Sequence, residues 1–223
     1  MGIDTPALKH FLHCKQYGSF NKTLTLGRQQ ILTNDIKNIL GISTNYELYC
    51  ENLLKNCFGS TDVDSIDNSD YEGATIVFDL NKKIKDNTIE KYDTIIDCGT
   101  LEHIYHITNA LYNVSKLCNI GGQIIHVLPA NNFCGHGFWQ LSPELFFSLY
   151  SEKNGYKNTE VFIIDTHNSY EIQKLTPPEN GNRIMIDSTT PIYVAVRTVL
   201  GDKRFSHSDV QQSDYVYLWD KMK

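Results

Sequence analysis

Short segments that are apolar along their whole length, separated by segments with helical spacing, limit the fold of this chain most strongly. Four such segments read as strands: ATIVFDL, YDTIIDCG, QIIHVLP and PIYVAVRTVL. Apolar residues follow one another in them without polar alternation, as expected for strands that are covered on both faces. The sequence therefore predicts an α/β fold with a doubly wound, mostly parallel sheet flanked by helices.

The length of 223 residues favours a single domain. Helical spacing at the start predicts an N-terminal helix over about 1–18. Two further helical patterns predict a helical insertion over about 34–59, between the first two strands of the sheet. The insertion could serve as a lid or as a face for a homodimer. The tail from Gly201 is polar, and we expect it to be loosely held.

Charge and composition exclude several classes of partner. A net charge of −6 and a pI near 5.7 argue against a nucleic-acid-binding face, which would be basic. The sequence has no basic run for an anionic membrane and no apolar run of about 20 residues. It begins without a signal-peptide pattern, and its six cysteines include no C-x-x-C pair. These features predict a cytoplasmic protein with reduced thiols.

Two carboxylates end neighbouring predicted strands, VDSID at Asp67 and ATIVFDL at Asp79. In open α/β sheets, ligands bind at the carboxyl ends of the strands, and an acidic residue there can bind the hydroxyls of a ribose. The alternative is that such residues only form turns and cap helices. Asp64 is a second candidate for the ribose, because strand ends are predicted only to within a few residues.

From Lys22 to Tyr156 the chain resembles the class I S-adenosylmethionine-dependent methyltransferases. TLTLGRQQ corresponds to the first strand and glycine loop of that family, and SIDNSDYEGATIVFDLN to its ribose and adenine segments. The segment from YDTIIDCGTLEH to QIIHVLP resembles its fourth strand, following helix and fifth strand. GHGFWQLSPELFFSLYSEKNGY is similar to members from surface-polysaccharide (capsule) biosynthesis. The resemblance implies a Rossmann-like fold and S-adenosylmethionine as cofactor.

The resemblance also implies positions for the cofactor. Asp67 would bind the ribose, and Asp79 would accept a hydrogen bond from the adenine amine. Cys98, Gly99 and Thr100 would border the sulfonium. The complete set of implied cofactor-binding residues is Gly27, Arg28, Gln29, Asp67, Asp79, Leu80, Cys98, Gly99, Thr100 and Leu101.

The first loop departs from the family pattern, because Gly27 is its only glycine and Arg28 follows it. A single glycine still lets the backbone approach a ligand. Arg28 could pair with the carboxylate of the cofactor, since guanidinium–carboxylate pairs are strong and directional. Alternatively, Arg28 forms a salt bridge with an acidic residue of the protein.

Histidines are the candidates for a general base, because the imidazole pKa suits proton transfer near neutral pH. His136 lies in the loop after the fifth strand of the family pattern and is the favoured base. His103 follows Glu102 after the fourth strand and is a pocket wall or a second base. His126 lies within an apolar strand and is predicted to be a hydrogen-bonded core residue. His103 and His106 are three residues apart, but no further ligand spacing supports a metal site, so none is expected.

The loop after QIIHVLP suits a neutral, hydroxyl-rich acceptor. No Lys or Arg occurs between Leu128 and Ser151. Aromatic rings and amides of the kind that bind sugars occur instead. The predicted substrate-binding residues are Asn131, Asn132, Phe133, Phe138, Trp139 and Gln140. The aromatic residues could equally belong to the core or to a subunit contact.

Together these features predict an O-methyltransferase, whose substrate is a sugar or sugar-nucleotide hydroxyl used in surface-polysaccharide synthesis. One alternative is methylation of a phosphate-type oxygen, such as a phosphoramidate group of a capsule. That oxygen is already anionic, so its methylation needs no base. A second alternative is a methyltransferase-like binding module without activity, which the reduced glycine loop makes plausible.

Overall fold

The computed structural model describes residues 2–41, 47–85, 90–167, 170–201 and 210–222. An eight-stranded sheet with helices on both faces forms the centre of this part of the chain. No helix within it is both long and apolar enough to cross a membrane.

The strands are β1 (Gly2–Ile3), β2 (Asn21–Leu26), β3 (Gln30–Ile31), β4 (Ser60–Asp67), β5 (Ile76–Val77), β6 (Tyr92–Cys98), β7 (Cys118–Asn131), β8 (Tyr156–Asp165), β9 (Ile172–Lys174) and β10 (Ile192–Leu200). The α-helices are α1 (Thr5–Lys15), α2 (Ile36–Leu40), α3 (Glu51–Phe58), α4 (Ile107–Leu117), α5 (Pro143–Leu149) and α6 (Ser213–Lys221). Single 3₁₀ turns cover Leu101–His103 and Glu152–Asn154.

The strand order in the main sheet is β5-β4-β2-β6-β7-β10-β8-β9. The pairs from β5 to β7 are all parallel, whereas β10 is antiparallel to both β7 and β8, and β9 is antiparallel to β8. From β2 the chain adds β4 and then β5 on one side, and it then returns to place β6 on the other side of β2. The switch point, where ligands bind in such sheets, therefore lies between the carboxyl ends of β2 and β6.

Two hydrophobic cores cover the two faces of the sheet. Ile95 packs in one core with α4 and α5, and its neighbour Ile96 packs in the other with α1 and α3. Ile124 and Ile125 of the next strand divide in the same way. Both faces of each central strand are thus buried, which is why these strands are apolar throughout.

The predicted helices are present but shorter than the sequence patterns. The N-terminal helix predicted over about 1–18 is α1, which begins after the Asp4 cap. The insertion predicted over about 34–59 contains α2 and α3, while its residues 42–46 lie outside the described residues.

Pro129 was expected to end its strand, but β7 continues to Asn131. The pairing of β7 with β10 shifts register at this point, between Ile192 and Tyr193, so that Ala130 has no partner on β10. Proline is tolerated at such a bulge because its missing N–H is not required there.

The polar tail from Gly201 contains a helix that its composition did not indicate. Residues 202–209 lie outside the described residues, but α6 forms an ordered helix. Its first residue, Ser213, donates two hydrogen bonds to the Glu144 carboxylate, at 2.8 Å from the backbone and 3.0 Å from the hydroxyl.

Candidate active site

Two glycine turns flank the switch point of the sheet. Gly27 follows β2 with φ +68°, and Gly99 follows β6 with φ +83°. These left-handed conformations favour glycine, because a side chain would be strained there. The Gly27 N–H also donates to the Ile66 carbonyl at 2.8 Å, which fixes the first loop against β4. The reduced glycine loop therefore still turns sharply at the carboxyl edge.

The Gln29 side chain connects these two turns. Its side-chain amide donates to the Leu26 carbonyl and lies 3.4 Å from the Thr100 hydroxyl, which also donates to Leu26. Gln29 is fully buried, and its Oε1 has no hydrogen-bond partner among the described residues. A buried acceptor without a donor is unusual in a folded protein. It can accept a hydrogen bond from a ligand at the switch point.

A buried polar network holds the turn after β6. Asp97 Oδ1 accepts from the Thr100 N–H at 3.0 Å, and Asp97 Oδ2 accepts from His126 Nδ1 at 2.9 Å. The Tyr150 hydroxyl lies 2.6 Å from His126 Nε2. Both Asp97 and His126 are fully buried. The prediction that His126 is a hydrogen-bonded core residue is confirmed, and its function is to hold Asp97 against the turn.

The acidic residues at the strand ends differ in what they bind. The Tyr92 hydroxyl donates to Asp64 at 2.9 Å, three residues before β4 ends. Asp67 is the last residue of β4, and its carboxylate has no hydrogen-bond partner among the described residues. Of the two carboxylates, that of Asp67 is therefore available to a ligand at the carboxyl edge, whereas that of Asp64 already accepts a hydrogen bond. Asp79 instead accepts from the backbone and side chain of Asn81, both at 3.0 Å, and these bonds lower its pKa.

Arg28 bonds to neighbouring protein groups. Its Nε donates to Glu51 of α3 at 2.7 Å, its Nη1 donates to the Glu72 carbonyl at 2.8 Å, and its guanidinium lies 4.0 Å from the centre of the Tyr49 ring. Of the two roles left open by the sequence, this arrangement corresponds to the salt bridge. The guanidinium fastens the loop after β4 to the helical insertion.

A cavity of about 140 Å³ opens beside the turn after β6. Its wall includes Cys98, Gly99, Glu102, His103, His136 and Tyr193. The end of β6 supplies Cys98, and the turn after it supplies Gly99, Glu102 and His103. The loop after β7 supplies His136, and β10 supplies Tyr193. The two histidines that the sequence singled out as candidate bases are therefore brought together, although they are 33 residues apart.

Glu102 lies between the two histidines and is fully buried. Its Oε1 is 3.8 Å from His103 Nε2 and 3.5 Å from His136 Nε2. Burial, followed by the charge of Asp97, raises the pKa of Glu102 to about 8. Partial burial and the neighbouring His136 lower the pKa of His103. His103 is consequently neutral at neutral pH and able to accept a proton.

The loop after β7 is fastened to the Glu102 turn. The N–H groups of Phe138 and Trp139 donate to the Glu102 carbonyl at 2.7 and 3.2 Å. Gly137 permits this approach, since a methyl group on it would lie 2.8 Å from the same carbonyl oxygen. The Trp139 indole adds a hydrogen bond to the Ile104 carbonyl at 3.0 Å.

The other predicted acceptor residues divide between loop structure and exposed surface. The Asn132 amide donates to the Ser188 and Thr190 carbonyls at 2.8 Å. Gln140 accepts from the Phe133 N–H at 2.9 Å, which closes the loop. Asn131 is exposed at the end of β7.

Two aromatic rings of this loop remain near the cavity. Phe133 packs against His136 and Tyr193, with ring centres 5.8 and 4.8 Å apart. Phe138 is 66% exposed and packs against Tyr105 alone among the described aromatic rings. These rings can cover a flat acceptor.

Sequence reasoning did not select Glu102, Asp97 or Tyr193. Glu102 stands in the LEH motif beside a selected histidine, so its acidic character was visible. Its full burial was not, because that depends on the loop that carries His136. Tyr193 is contributed by a strand 90 residues later in the chain, and no local pattern indicates it.

No protein-family model matches the chain, and no curated protein sequence matches it either. Its structure resembles one chain from the complex between the Haloferax volcanii Trm112 methyltransferase activator and a methyltransferase, at TM-score 0.53 and 12% identity, covering 90% of this chain and 91% of the other. Other similar structures are a Bacillus halodurans methyltransferase (TM-score 0.49, 11% identity, 87% and 99% covered) and Haemophilus influenzae TehB (TM-score 0.48, 14% identity, 86% and 62% covered). The chain thus spans less than two thirds of TehB.

The Haloferax comparison covers nearly the whole of both chains. The predicted fold class is confirmed: the chain has the Rossmann-like, doubly wound fold of the class I methyltransferases.

Proposed function

We propose that this protein is an S-adenosylmethionine-dependent O-methyltransferase. One observation carries the proposal: Cys98 and Gly99, which border the sulfonium in the resemblance, line the same cavity as His103 and His136. A methyl donor and a base would thus meet in one place. When bound, the cofactor supplies a methyl group on a sulfonium, which is already activated for displacement.

The residues at the switch point fit this cofactor. The Asp67 carboxylate would bind the ribose hydroxyls, and Gln29 Oε1 would accept a hydrogen bond from the ammonium of the methionine part. The glycine turns at Gly27 and Gly99 leave room for close approach of the ligand to the backbone. Asp79 would contribute less, because its carboxylate already accepts two hydrogen bonds from Asn81.

The chemistry left to the protein is positioning and proton removal. Near-attack placement of acceptor and donor contributes most of the rate in such displacements. A hydroxyl acceptor also gains from a base, and His136 would accept its proton at Nε2. His103 is the second imidazole within reach, and its lowered pKa keeps it neutral.

We propose a sugar or sugar-nucleotide hydroxyl as the acceptor, within surface-polysaccharide synthesis. Phe133 and the exposed Phe138 supply aromatic faces, and the resemblance over residues 135–156 supports this narrower assignment. A phosphate-type oxygen is less well supported. It would need a cationic partner, and the three arginines that could supply one from outside the loop have other partners. Arg28 binds Glu51, Arg183 binds Asp214, and Arg197 binds Gln123.

We also propose a cytoplasmic location, because none of the six cysteines forms a disulfide. A homodimer through the insertion over about 34–59 remains part of the proposal.

The experiment is methyl transfer from labelled S-adenosylmethionine to a panel of sugar nucleotides. We expect His136→Ala to lower kcat by about 100-fold or more, the usual contribution of a general base. His167→Ala is the matched control, because His167 is exposed and does not line the cavity. Turnover that is insensitive to His136→Ala would favour an already anionic, phosphate-type acceptor. Cofactor binding without transfer to any acceptor would favour the binding module.

A further inference from the structure

Three metal-binding side chains converge in the cavity beside the turn after β6. One ligand atom each from Glu102, His103 and His136 lies within 4.8 Å of the others. The two imidazole nitrogens are 3.5 and 3.8 Å from the same carboxylate oxygen. A common ion could be reached from all three side chains by small rotations of the two half-exposed histidines.

The Glu102 carboxylate is a second, independent indication of a ligand. The side chain is fully buried, and neither oxygen has a hydrogen-bond partner among the described residues. A polar side chain buried without a partner is rare in native proteins, and buried carboxylates that remain ionised are paired with a cation or coordinate a metal. No Lys or Arg lines the cavity to balance it.

We propose that Glu102, His103 and His136 bind one first-row divalent transition-metal cation. Two imidazoles and one carboxylate are typical of sites for Zn²⁺, Fe²⁺ or Co²⁺, with further coordination positions left open. Mg²⁺ prefers oxygen ligands and would suit this set less well. The proposal departs from the sequence-based expectation, which tested only the pair His103 and His106. In the structure His106 instead packs against Tyr105.

The backbone holds the three ligands in place before any ion binds. Glu102 and His103 lie on one 3₁₀ turn, which Asp97 holds from beneath. The loop that carries His136 is joined to the Glu102 carbonyl by two N–H groups. The cavity of about 140 Å³ is large enough for an ion with bound water or an acceptor oxygen.

The role of the ion rests on the proposed function, although its binding does not. A hydroxyl oxygen that occupies an open coordination position has a lowered pKa, as bound water does on zinc. Its O–H bond would break with the proton passing to water. The oxygen would then form a bond to the methyl carbon as the bond from that carbon to the sulfonium sulfur breaks, which leaves S-adenosylhomocysteine. The two histidines would serve as ligands in that case and would not act as proton acceptors.

The test is calorimetric titration of untagged, chelator-stripped protein with Zn²⁺, and with Co²⁺ followed by its visible spectrum. We expect one site per chain. Glu102→Gln, which preserves size, and His136→Ala should each weaken binding at least about 100-fold, since even the hydrogen-bond partners of metal ligands contribute about 10–100-fold. His106→Ala and Cys134→Ser are the matched controls, which remove another imidazole and another thiol. Both should bind as wild type does, because neither residue lines the cavity.

Failure of the wild-type protein to bind either cation would overturn the proposal, and so would binding by Glu102→Gln that equals wild type. Loss of binding in Cys134→Ser would also overturn it, because the thiol would then be a ligand. Titration of the same samples with S-adenosylhomocysteine separates this result from the proposed function. Binding of a cation without binding of S-adenosylhomocysteine would support the metal site and refute the methyltransferase. Binding of S-adenosylhomocysteine without binding of a cation would support the methyltransferase and refute the metal site.

Discussion

Removal of the Asp97 carboxylate should destabilise the protein far more than its replacement by an amide. Asp97→Ala leaves the Thr100 N–H and His126 Nδ1–H buried without acceptors, after losing bonds of 3.0 and 2.9 Å. Each orphaned donor costs about 1–3 kcal/mol, so we expect a loss of about 3–5 kcal/mol in the free energy of unfolding. That is a large part of the total stability of about 5–15 kcal/mol typical of a domain.

Asp97→Asn can keep most of the network. Its amide oxygen can accept from the Thr100 N–H, while its NH₂ faces His126 Nδ1. The imidazole can then carry its proton on Nε2 and donate to the Tyr150 hydroxyl, which is able to accept. We expect a loss of only about 1–2 kcal/mol, similar to that of Tyr150→Phe, which leaves a single nitrogen unpaired.

The assay is urea unfolding followed by circular dichroism and tyrosine fluorescence, with m-values compared across the variants. If Asp97→Ala were within 1 kcal/mol of wild type, or if Asn were as harmful as Ala, the network would not hold the turn. Asp97→Ala should also weaken S-adenosylhomocysteine binding, since Gly99 and Thr100 would lose their support.

Two further predictions concern other parts of the chain. Burial raises the pKa of Glu160, but its hydrogen bonds, first that from Lys174, outweigh burial and hold it at about 2. Because this folded-state pKa lies below the usual value of 4.5, the stabilisation is complete above pH 4.5 and is lost as the pH falls towards 2. Glu160→Gln should therefore lower the free energy of unfolding by up to about 3 kcal/mol at pH 7 and by little at pH 2, as measured by urea unfolding. A difference between the two proteins that does not change with pH would contradict this prediction. Gly137→Ala should lower the free energy of unfolding by about 1–3 kcal/mol and slow turnover, because its methyl group would contact the Glu102 carbonyl. Gly135→Ala is the control and should lower stability less in a thermal melt, because the space at its position is open. Equal losses of stability would refute the close approach at Gly137.

The central sheet was predictable because its signal is local. Each central strand is apolar on both faces, as Ile95 and Ile96 show, and helical spacing separates the strands. The short strands β1, β3 and β9 were missed because two or three residues carry no usable period. Their pairing depends on neighbours distant in sequence, such as Gly2 with Gln30.

The site was predictable only in part, for a related reason. Asp67, His103 and His136 stand at ends of strands or in loops that the resemblance locates. The sequence does not show that Arg28 bonds to Glu51, because α3 lies more than 20 residues away. Nor does it show the burial of Glu102, which depends on the loop of His136 closing over it.

The measurement that tests the central claim most directly is calorimetric titration with S-adenosylhomocysteine. We expect wild type to bind and Asp67→Ala to bind about 10–100-fold more weakly, since hydrogen bonds to a charged group contribute about 1.5–3 kcal/mol. Asp64→Asn is the matched control and should bind as wild type does, because Asp64 bonds to Tyr92. Absence of heat with wild type across pH and salt would contradict the methyltransferase, and equal binding by Asp67→Ala would contradict the assigned ribose site.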